Sequence, residues 1–192
     1  GGAEFRRRYH IFLRIAAEFP DLEIVTQARF RAGAAFEEGK MDGKAIGAYL
    51  SVEKIHPGSP LSVDATRRLA VLYERGGKPL PAADRLVRLS PLERADEEKA
   101  AYLFRAAELY EQGKEEKKAR RAWRDAASIP GAPATVRMLS MFRAGESARA
   151  QGMEAEADAF HRDAVKLHRE SGGAAPEIAG RAEGALVARP RA

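Results

Sequence analysis

The chain has 192 residues, of which 45% are hydrophobic and 32% charged, and its formal net charge is +5. This balance is typical of a chain that folds around an apolar core and excludes an extensively disordered protein. No apolar run approaches the roughly 20 residues needed to span a bilayer. Because the chain has no cysteine, disulfides, thiolate metal sites and a cysteine nucleophile are excluded.

Residues 4–18 are predicted to form the first helix, which ends before the pair Phe19-Pro20. Its apolar residues recur at helical spacing. They are Phe5, Tyr9, Phe12, Leu13 and Ala16. The pattern resembles the second helix of a two-helix unit without its first helix, which predicts that the chain is part of a longer array.

A short arginine-containing phrase then recurs four times, centred on Arg31, Arg68, Arg105 and Arg143. The intervals are 37, 37 and 38 residues (31 to 68, 68 to 105 and 105 to 143). A fixed period of this size is the signature of stacked supersecondary units. We therefore predict four repeats, at residues 26–59, 63–96, 100–133 and 138–171.

Each repeat has the same internal order. A small residue follows the arginine by two positions, an aromatic or small residue lies three further on, and glycine then ends the helix in a left-handed conformation. A second apolar pattern, spaced by four and then three residues, places three side chains on one face of a second helix. These triplets are Ala45, Tyr49, Val52; Ala82, Leu86, Leu89; Ala119, Trp123, Ala126; and Ala157, His161, Ala164. Each unit is therefore predicted to be a helix (helix A), a short turn and a second helix (helix B).

Residues 176–188 are predicted to form a last helix that caps the array, with Ile178, Ala182 and Leu186 as its buried stripe. The fold class predicted from the periodicities is all-α, with about ten helices.

The repeats resemble the tetratricopeptide repeat family. The resemblance rests on the small residue at the crossing of helices A and B, the aromatic three positions on, and the Ala-aromatic-Ala order of helix B. The crossing residues are Gly33, Ala70, Ala107 and Gly145. The resemblance implies a right-handed superhelix that binds protein or peptide partners in its concave groove without catalysing a reaction. The units exceed the family's 34 residues by three to four, which we expect the inter-repeat connections to absorb.

The pair Phe19-Pro20 and the phrases Arg31-Ala32-Gly33 and Arg143-Ala144-Gly145 are similar to those of bacterial envelope members of this family. This similarity favours a bacterial source and the periplasm, although the cytoplasm is also compatible with the sequence.

No pattern of catalytic, cofactor-binding or metal-ligating residues emerges. The segment Gly76-Gly77-Lys78-Pro79 lacks the spacing of a phosphate-binding loop, and Pro79 removes a backbone donor. His161 and His168 lie seven residues apart, whereas a helical metal site needs spacing of three or four and a third ligand. His161 occupies the aromatic position of helix B, so we expect it to be packed. The predictions are no enzyme, no cofactor and no metal.

The helix-A face opposite the crossing is the predicted groove. The candidate partner-binding residues are Phe30, Arg31, Arg67, Arg68, Phe104, Arg105, Phe142 and Arg143, beside groove residues such as Val71. In one interpretation, the arginines only pair with glutamates on their own helix or the next repeat, as in Arg105–Glu108 and Arg143–Glu146. In the other, exposed aromatics beside arginine form interface hot spots for a peptide.

Two other functions stay open. The chain could be a helical accessory domain of an enzyme whose catalytic part lies elsewhere. It could also bind anions or nucleic acid, but the basic and acidic residues are interleaved along most of the chain, which disfavours a nucleic-acid partner. The sequence leaves the oligomeric state open.

Overall fold

The computed structural model describes residues 22–188 and, before them, six separate residues: Arg7, His10, Ile11, Phe12, Arg14 and Glu18. All six are helical. The rest of the predicted helix 4–18, including Phe5, Tyr9, Leu13 and Ala16, lies outside the described residues.

Within residues 22–188 the secondary structure is entirely helical, which confirms the all-α class. The α-helices in this range are α1 Leu22–Glu38, α2 Asp42–Ile55, α3 Pro60–Arg75, α4 Pro79–Leu89, α5 Asp96–Gln112, α6 Glu116–Ala127, α7 Ala134–Ala150, α8 Glu154–Glu170 and α9 Pro176–Val187, with a 3-10 turn at Ser90–Leu92. Helices α1, α3, α5 and α7 are the predicted helices A, and α2, α4, α6 and α8 are the helices B. Helix α9 lies where the cap was predicted.

The chain divides into two compact units, residues 1–85 and 86–192. In the first unit, α1 packs on α2 and α2 packs on α3. In the second unit, each helix from α5 to α9 packs on the next along the chain. Consecutive helices A also touch within each unit, α1 with α3 and α5 with α7. Contacts between neighbours in sequence are those of stacked helix-turn-helix repeats.

The additional residues of each repeat lie in helix A. Each helix A begins three or four residues before the predicted start of its repeat. The observed and predicted starts are 22 and 26 for α1, 60 and 63 for α3, 96 and 100 for α5, and 134 and 138 for α7. The expectation that the connections absorb the additional length is therefore wrong. About one extra helical turn per unit takes up these residues, because a turn requires only 3.6 residues.

The four turns between helices A and B share one geometry. A residue with positive φ is followed by one whose N–H donates to the carbonyl five positions earlier, a Schellman turn. These bonds are Met41 to Phe36, Lys78 to Tyr73, Glu115 to Tyr110 and Met153 to Ala148, at 2.8–2.9 Å. The left-handed residues are Lys40, Gly77, Lys114 and Gly152, with φ of 55–74°. The glycine that ends helix A was predicted to be the left-handed residue. This is wrong in the first and third repeats, where the lysine after Gly39 and the lysine after Gly113 have the positive φ. Hydrogen bonds of the turn offset the roughly 1–2 kcal/mol that a left-handed residue costs.

The helix-B triplets form the core that the sequence predicts. All twelve of their side chains are buried, and Tyr49, Trp123 and His161 are each 0% exposed. Residues spaced by four and then three stay on one helix face. In the first, third and fourth repeats this face contacts helix A through Tyr49, Trp123 and His161. This core positions the side chains of the candidate site.

Candidate functional site

The small residue of helix A lies directly against an aromatic side chain of helix B. A Cβ added to Gly33 would lie 2.7 Å from Cε1 of Tyr49, and one added to Gly145 would lie 2.5 Å from Nε2 of His161. Both distances are shorter than van der Waals contact allows, so a larger residue would displace the ring. The predicted helix crossing is therefore confirmed at these two glycines.

The phenylalanines of helix A pack on the same helix-B side chains. The ring centroids are 5.4 Å apart for Phe30 and Tyr49, 4.7 Å for Phe104 and Trp123, and 5.4 Å for Phe142 and His161. The prediction that these phenylalanines lie away from the contact between helices A and B is wrong. Each precedes the crossing residue by three positions, and residues three apart share a helix face.

Phe142 is buried, contrary to its predicted place in an exposed groove. It is 4% exposed, and it belongs to an apolar cluster that includes Ile178 and Ala182 of α9. The guanidinium carbon of Arg181 lies 4.4 Å from the centre of its ring. The capping helix covers this phenylalanine, whereas Phe30 and Phe104 are half-buried. Of the three, only these two offer surface to a partner.

In the first unit, Glu37 joins helix B to the next helix A. The hydroxyl of Tyr49 donates to Oε2 of Glu37 at 3.1 Å, and Nη1 of Arg68 lies 3.7 Å from Oε1. Burial raises the pKa of Tyr49, and the Glu37 carboxylate raises it further. Tyr49 therefore remains a neutral donor to this carboxylate.

Glu111 makes the equivalent connection in the second unit. The indole Nε1–H of Trp123 donates to Oε1 of Glu111 at 2.8 Å. Nη2 of Arg143 lies 3.5 Å from Oε2, and its guanidinium carbon lies 5.9 Å from the centre of the Trp123 ring. We call this arrangement of carboxylate, helix-B aromatic and next-repeat arginine a glutamate brace. It supports the interpretation that the repeated arginines pair between repeats.

Neither Glu37 nor Glu111 was predicted from the sequence to pair with an arginine of the next repeat, so the braces were missed. The available signal was position, because each follows the crossing residue by four (33 to 37 and 107 to 111). A repeated glutamate at that position, with a repeated arginine one unit later, would have indicated the pairing.

The other predicted arginines have more local surroundings. Arg105 Nη1 donates to Glu108 at 2.8 Å, as expected from their spacing, and Arg67 donates to Asp64 at 2.9 Å. Arg31 is exposed. Glu146, which was the expected partner of Arg143, instead lies 3.8 Å from Arg149. The predicted set therefore does not form one cluster, since one member is buried and two arginines belong to braces.

A polar cavity of about 440 Å³ opens beside the second brace. Its lining includes Glu111, Lys114, Glu116, Arg143, Glu146 and Ser147. The Ser147 hydroxyl accepts a hydrogen bond from Gln151 at 3.3 Å, and its neighbours in the cavity are carboxylates and cations. Such a lining can hydrogen-bond polar groups of a polypeptide, and these residues form no nucleophile–base–orienter arrangement.

His161 takes the place of the helix-B aromatic in the last repeat. Its side chain is 0% exposed, and Nε2 lies 3.5 Å from Oε1 of Glu146. Burial lowers the pKa of His161, and the positive charge of Arg149 lowers it further, while Glu146 partly opposes them. Arg149 in turn lies 3.3 Å from the buried carboxylate of Asp158. His161 is therefore held neutral.

We expect the unfolding free energy to fall as the pH is lowered from about 7 towards 5. A histidine whose folded-state pKa lies below its ordinary value of 6.5 stabilises the fold above that pH, and the contribution is lost as the pH falls through the folded pKa. One proton limits the slope to about 1.4 kcal/mol per pH unit. Urea titrations at several pH values should show a smaller slope for His161→Phe. An unchanged slope in His161→Phe would contradict the assignment.

Among the described residues, no group of three or more His, Asp or Glu side chains is placed to hold a metal ion. His168, the other histidine considered as a ligand, directs Nδ1 at the carbonyl of Ala174 at 2.6 Å. None of the helices in the described ranges combines the length and the apolar character needed to cross a bilayer.

One repeat of this chain matches a known family, and two solved structures are similar over most of its length. Residues 27–59 match the family described as tetratricopeptide repeat. The crystal structure of MamA is similar at 16% identity, with 89% of this chain and 92% of that chain covered and a TM-score of 0.49. BtubC (BKLC) from P. vanneervenii is similar at 15% identity, with 98% and 78% covered and a TM-score of 0.47. No curated protein matches the chain.

The matched segment 27–59 spans most of α1, the turn and all of α2. The turn geometry and the buried triplet of that segment recur in the three following repeats. Repeats of this type stack to create extended binding surfaces. The resemblance found in the sequence is thus confirmed for residues 27–59, which match the tetratricopeptide repeat.

Proposed function

We propose that this protein is a non-catalytic scaffold, within a larger bacterial protein or assembly, whose helices A bind a protein or peptide partner. Each of the two compact units has a helix-A face of its own. The proposal is supported by the apolar surface that lies beside arginine on this face and is not buried in the core.

In the first unit, the side chain of Val71 on α3 is apolar and 57% exposed. Arg67, one turn before it, is half-buried, and Arg68 is exposed. The half-buried ring of Phe30 lies on the neighbouring helix A of the same unit. An apolar contact flanked by arginine is the composition of an interface hot spot.

In the second unit, the half-buried Phe104 and the exposed Arg105 supply the same combination on α5. The polar cavity beside Glu111 adds groups that can pair with the backbone or polar side chains of a partner. Arg68 and Arg143 contribute mainly by holding consecutive helices A together through the glutamate braces, which presents this face as a rigid surface.

The test is selection of binders from a random peptide library, followed by affinity measurements on two matched variants. We expect Val71→Asp to weaken binding of peptides that engage the first unit by about 1–2 kcal/mol, roughly five- to thirtyfold. Leu92→Asp is the control, because Leu92 is 55% exposed and lies in the 3-10 turn, away from any helix A. Both variants should melt at the wild-type temperature, since both side chains are largely in solvent.

Selected peptides that bind Val71→Asp and Phe104→Leu as tightly as wild type would exclude the helix-A faces. Failure to enrich any peptide would exclude short peptides as the partner class. Turnover of a substrate by the isolated chain would contradict the non-catalytic assignment.

A further inference from the structure

We propose that the outer face of α6 is a second interaction surface, separate from the helix-A faces, and that it binds an acidic helical segment of a protein partner. The surface consists of Lys117, Arg121 and Arg124, which we call the α6 stripe. All three side chains are exposed, and those of Arg121 and Arg124 are 77% and 55% exposed.

The spacing of the α6 stripe aligns its charges. Positions i, i+4 and i+7 fall within about 60° of the helix circumference and extend for about 10 Å along the axis. The opposite face of the helix carries the buried Trp123 and the alanines of the core. The stripe is thus a straight row of cations on a helix whose other side is fixed by packing.

The cations of the α6 stripe are only partly neutralised within the fold. The single carboxylate of Asp125 lies 3.6 Å from Arg121 and 3.7 Å from Arg124, so one negative charge is shared by two guanidinium groups. The three cations and this carboxylate leave a net charge of +2 on the face (3 − 1). An exposed row with excess positive charge favours partners with carboxylates at matching positions.

Helix α8 provides an internal comparison. Arg162, Lys166 and Arg169 repeat the same spacing and are also exposed. There, however, Lys166 lies 3.7 Å from Glu170, and Arg169 lies 4.0 Å from Glu183. Two of these three cations have their own carboxylates, so the α8 row has less charge to offer a partner.

The surroundings of the α6 stripe favour a polypeptide over other anions. None of the large exposed apolar side chains found in the described residues lies on α6, so the face has nothing to insert into a membrane. The only aromatic side chain of α6, Trp123, is 0% exposed and cannot stack on bases. A helix with glutamates at i, i+4 and i+7 presents carboxylates at the intervals of the stripe.

The test uses an alanine-rich helical peptide with glutamates at i, i+4 and i+7, and a second peptide of the same composition with the glutamates distributed around the helix. We expect the aligned peptide to bind wild type more tightly, with an affinity that decreases with salt. The variant Lys117→Gln/Arg121→Gln/Arg124→Gln should bind it about tenfold or more weakly. The matched variant Arg162→Gln/Lys166→Gln/Arg169→Gln loses the same formal charge and should bind as wild type does.

Equal losses in the two triple variants, or equal affinity for the two peptides, would overturn the proposal, because either result means non-specific attraction. Duplex DNA or phosphatidylserine vesicles that bind more tightly than the aligned peptide, and depend on the same three residues, would assign the stripe to those partners instead. Val71→Asp should leave binding of the aligned peptide unchanged, so failure of the helix-A proposal and failure of this one are distinguishable.

Discussion

Replacing Trp123 with alanine is expected to destabilise the unit formed by residues 86–192 by about 3–5 kcal/mol, the usual cost of removing a buried tryptophan. Trp123 is 0% exposed. Its removal leaves a cavity beside Phe104, whose ring meets it edge-on at 4.7 Å. It also removes the indole N–H donor from the carboxylate of Glu111. Urea unfolding followed by far-ultraviolet circular dichroism measures the effect, since Trp123 is the only tryptophan.

Trp123→Phe separates packing from the hydrogen bond. Phenylalanine refills much of the space but cannot donate to Glu111, so the remaining loss should be about 1.5–3 kcal/mol, the range for a hydrogen bond to a charged group. If Trp123→Ala unfolds at the wild-type urea concentration, the glutamate brace and the repeat register are both wrong.

Replacing Gly145 with leucine is expected to cost about 1–3 kcal/mol or more by overpacking the crossing of α7 and α8. Even the first added carbon would lie 2.5 Å from Nε2 and 2.7 Å from Cδ2 of His161. His161 is fully buried, so its ring cannot move into solvent without breaking the packing. The melting temperature of the variant measures the loss.

Two further variants assign the cause of that loss. Gly180→Ala in α9 is the control, because an added Cβ there meets nothing within 4 Å. It should stabilise the helix by roughly 0.5–1 kcal/mol. Gly145→Ala combined with His161→Ala should cost less than the sum of the two single changes, because the smaller neighbour leaves room for the methyl group. Additive losses would show that the glycine and the histidine do not share a contact.

The glutamate braces and the packed aromatic side chains give several residues of the helix-A face a structural role. Arg68 and Arg143 connect consecutive helices A, so substituting either would alter the spacing of the repeats as well as any partner contact. Arg31, Arg105 and Val71 are better probes of binding, because their exposed side chains can be changed without removing a brace. Partner binding and stability can therefore be measured with different residues.

Features that depend on local spacing could be predicted from the amino-acid sequence alone. The side chains of each helix-B triplet are buried together because their spacing places them on one face of the helix. This placement does not depend on the neighbouring repeats. Gly33 and Gly145 were assigned to helix crossings from their position in the repeat, and the close approach of Tyr49 and His161 agrees. The repeat period also predicted the turns, since the left-handed residues 40, 77, 114 and 152 recur at the same intervals of 37, 37 and 38.

Features that depend on contacts between helices distant in sequence required the folded structure. Phe142 begins the same Phe-Arg-Ala phrase as Phe30 and Phe104, yet of the three it alone is buried, because α9 packs over it. Arg143 satisfies the i, i+3 rule with Glu146 but pairs with Glu111, which is 32 residues earlier (143 − 111). Spacing along one helix specifies which side chains share a face. Which neighbouring helix covers that face, and which charge lies opposite it, follows from the stacking of the repeats.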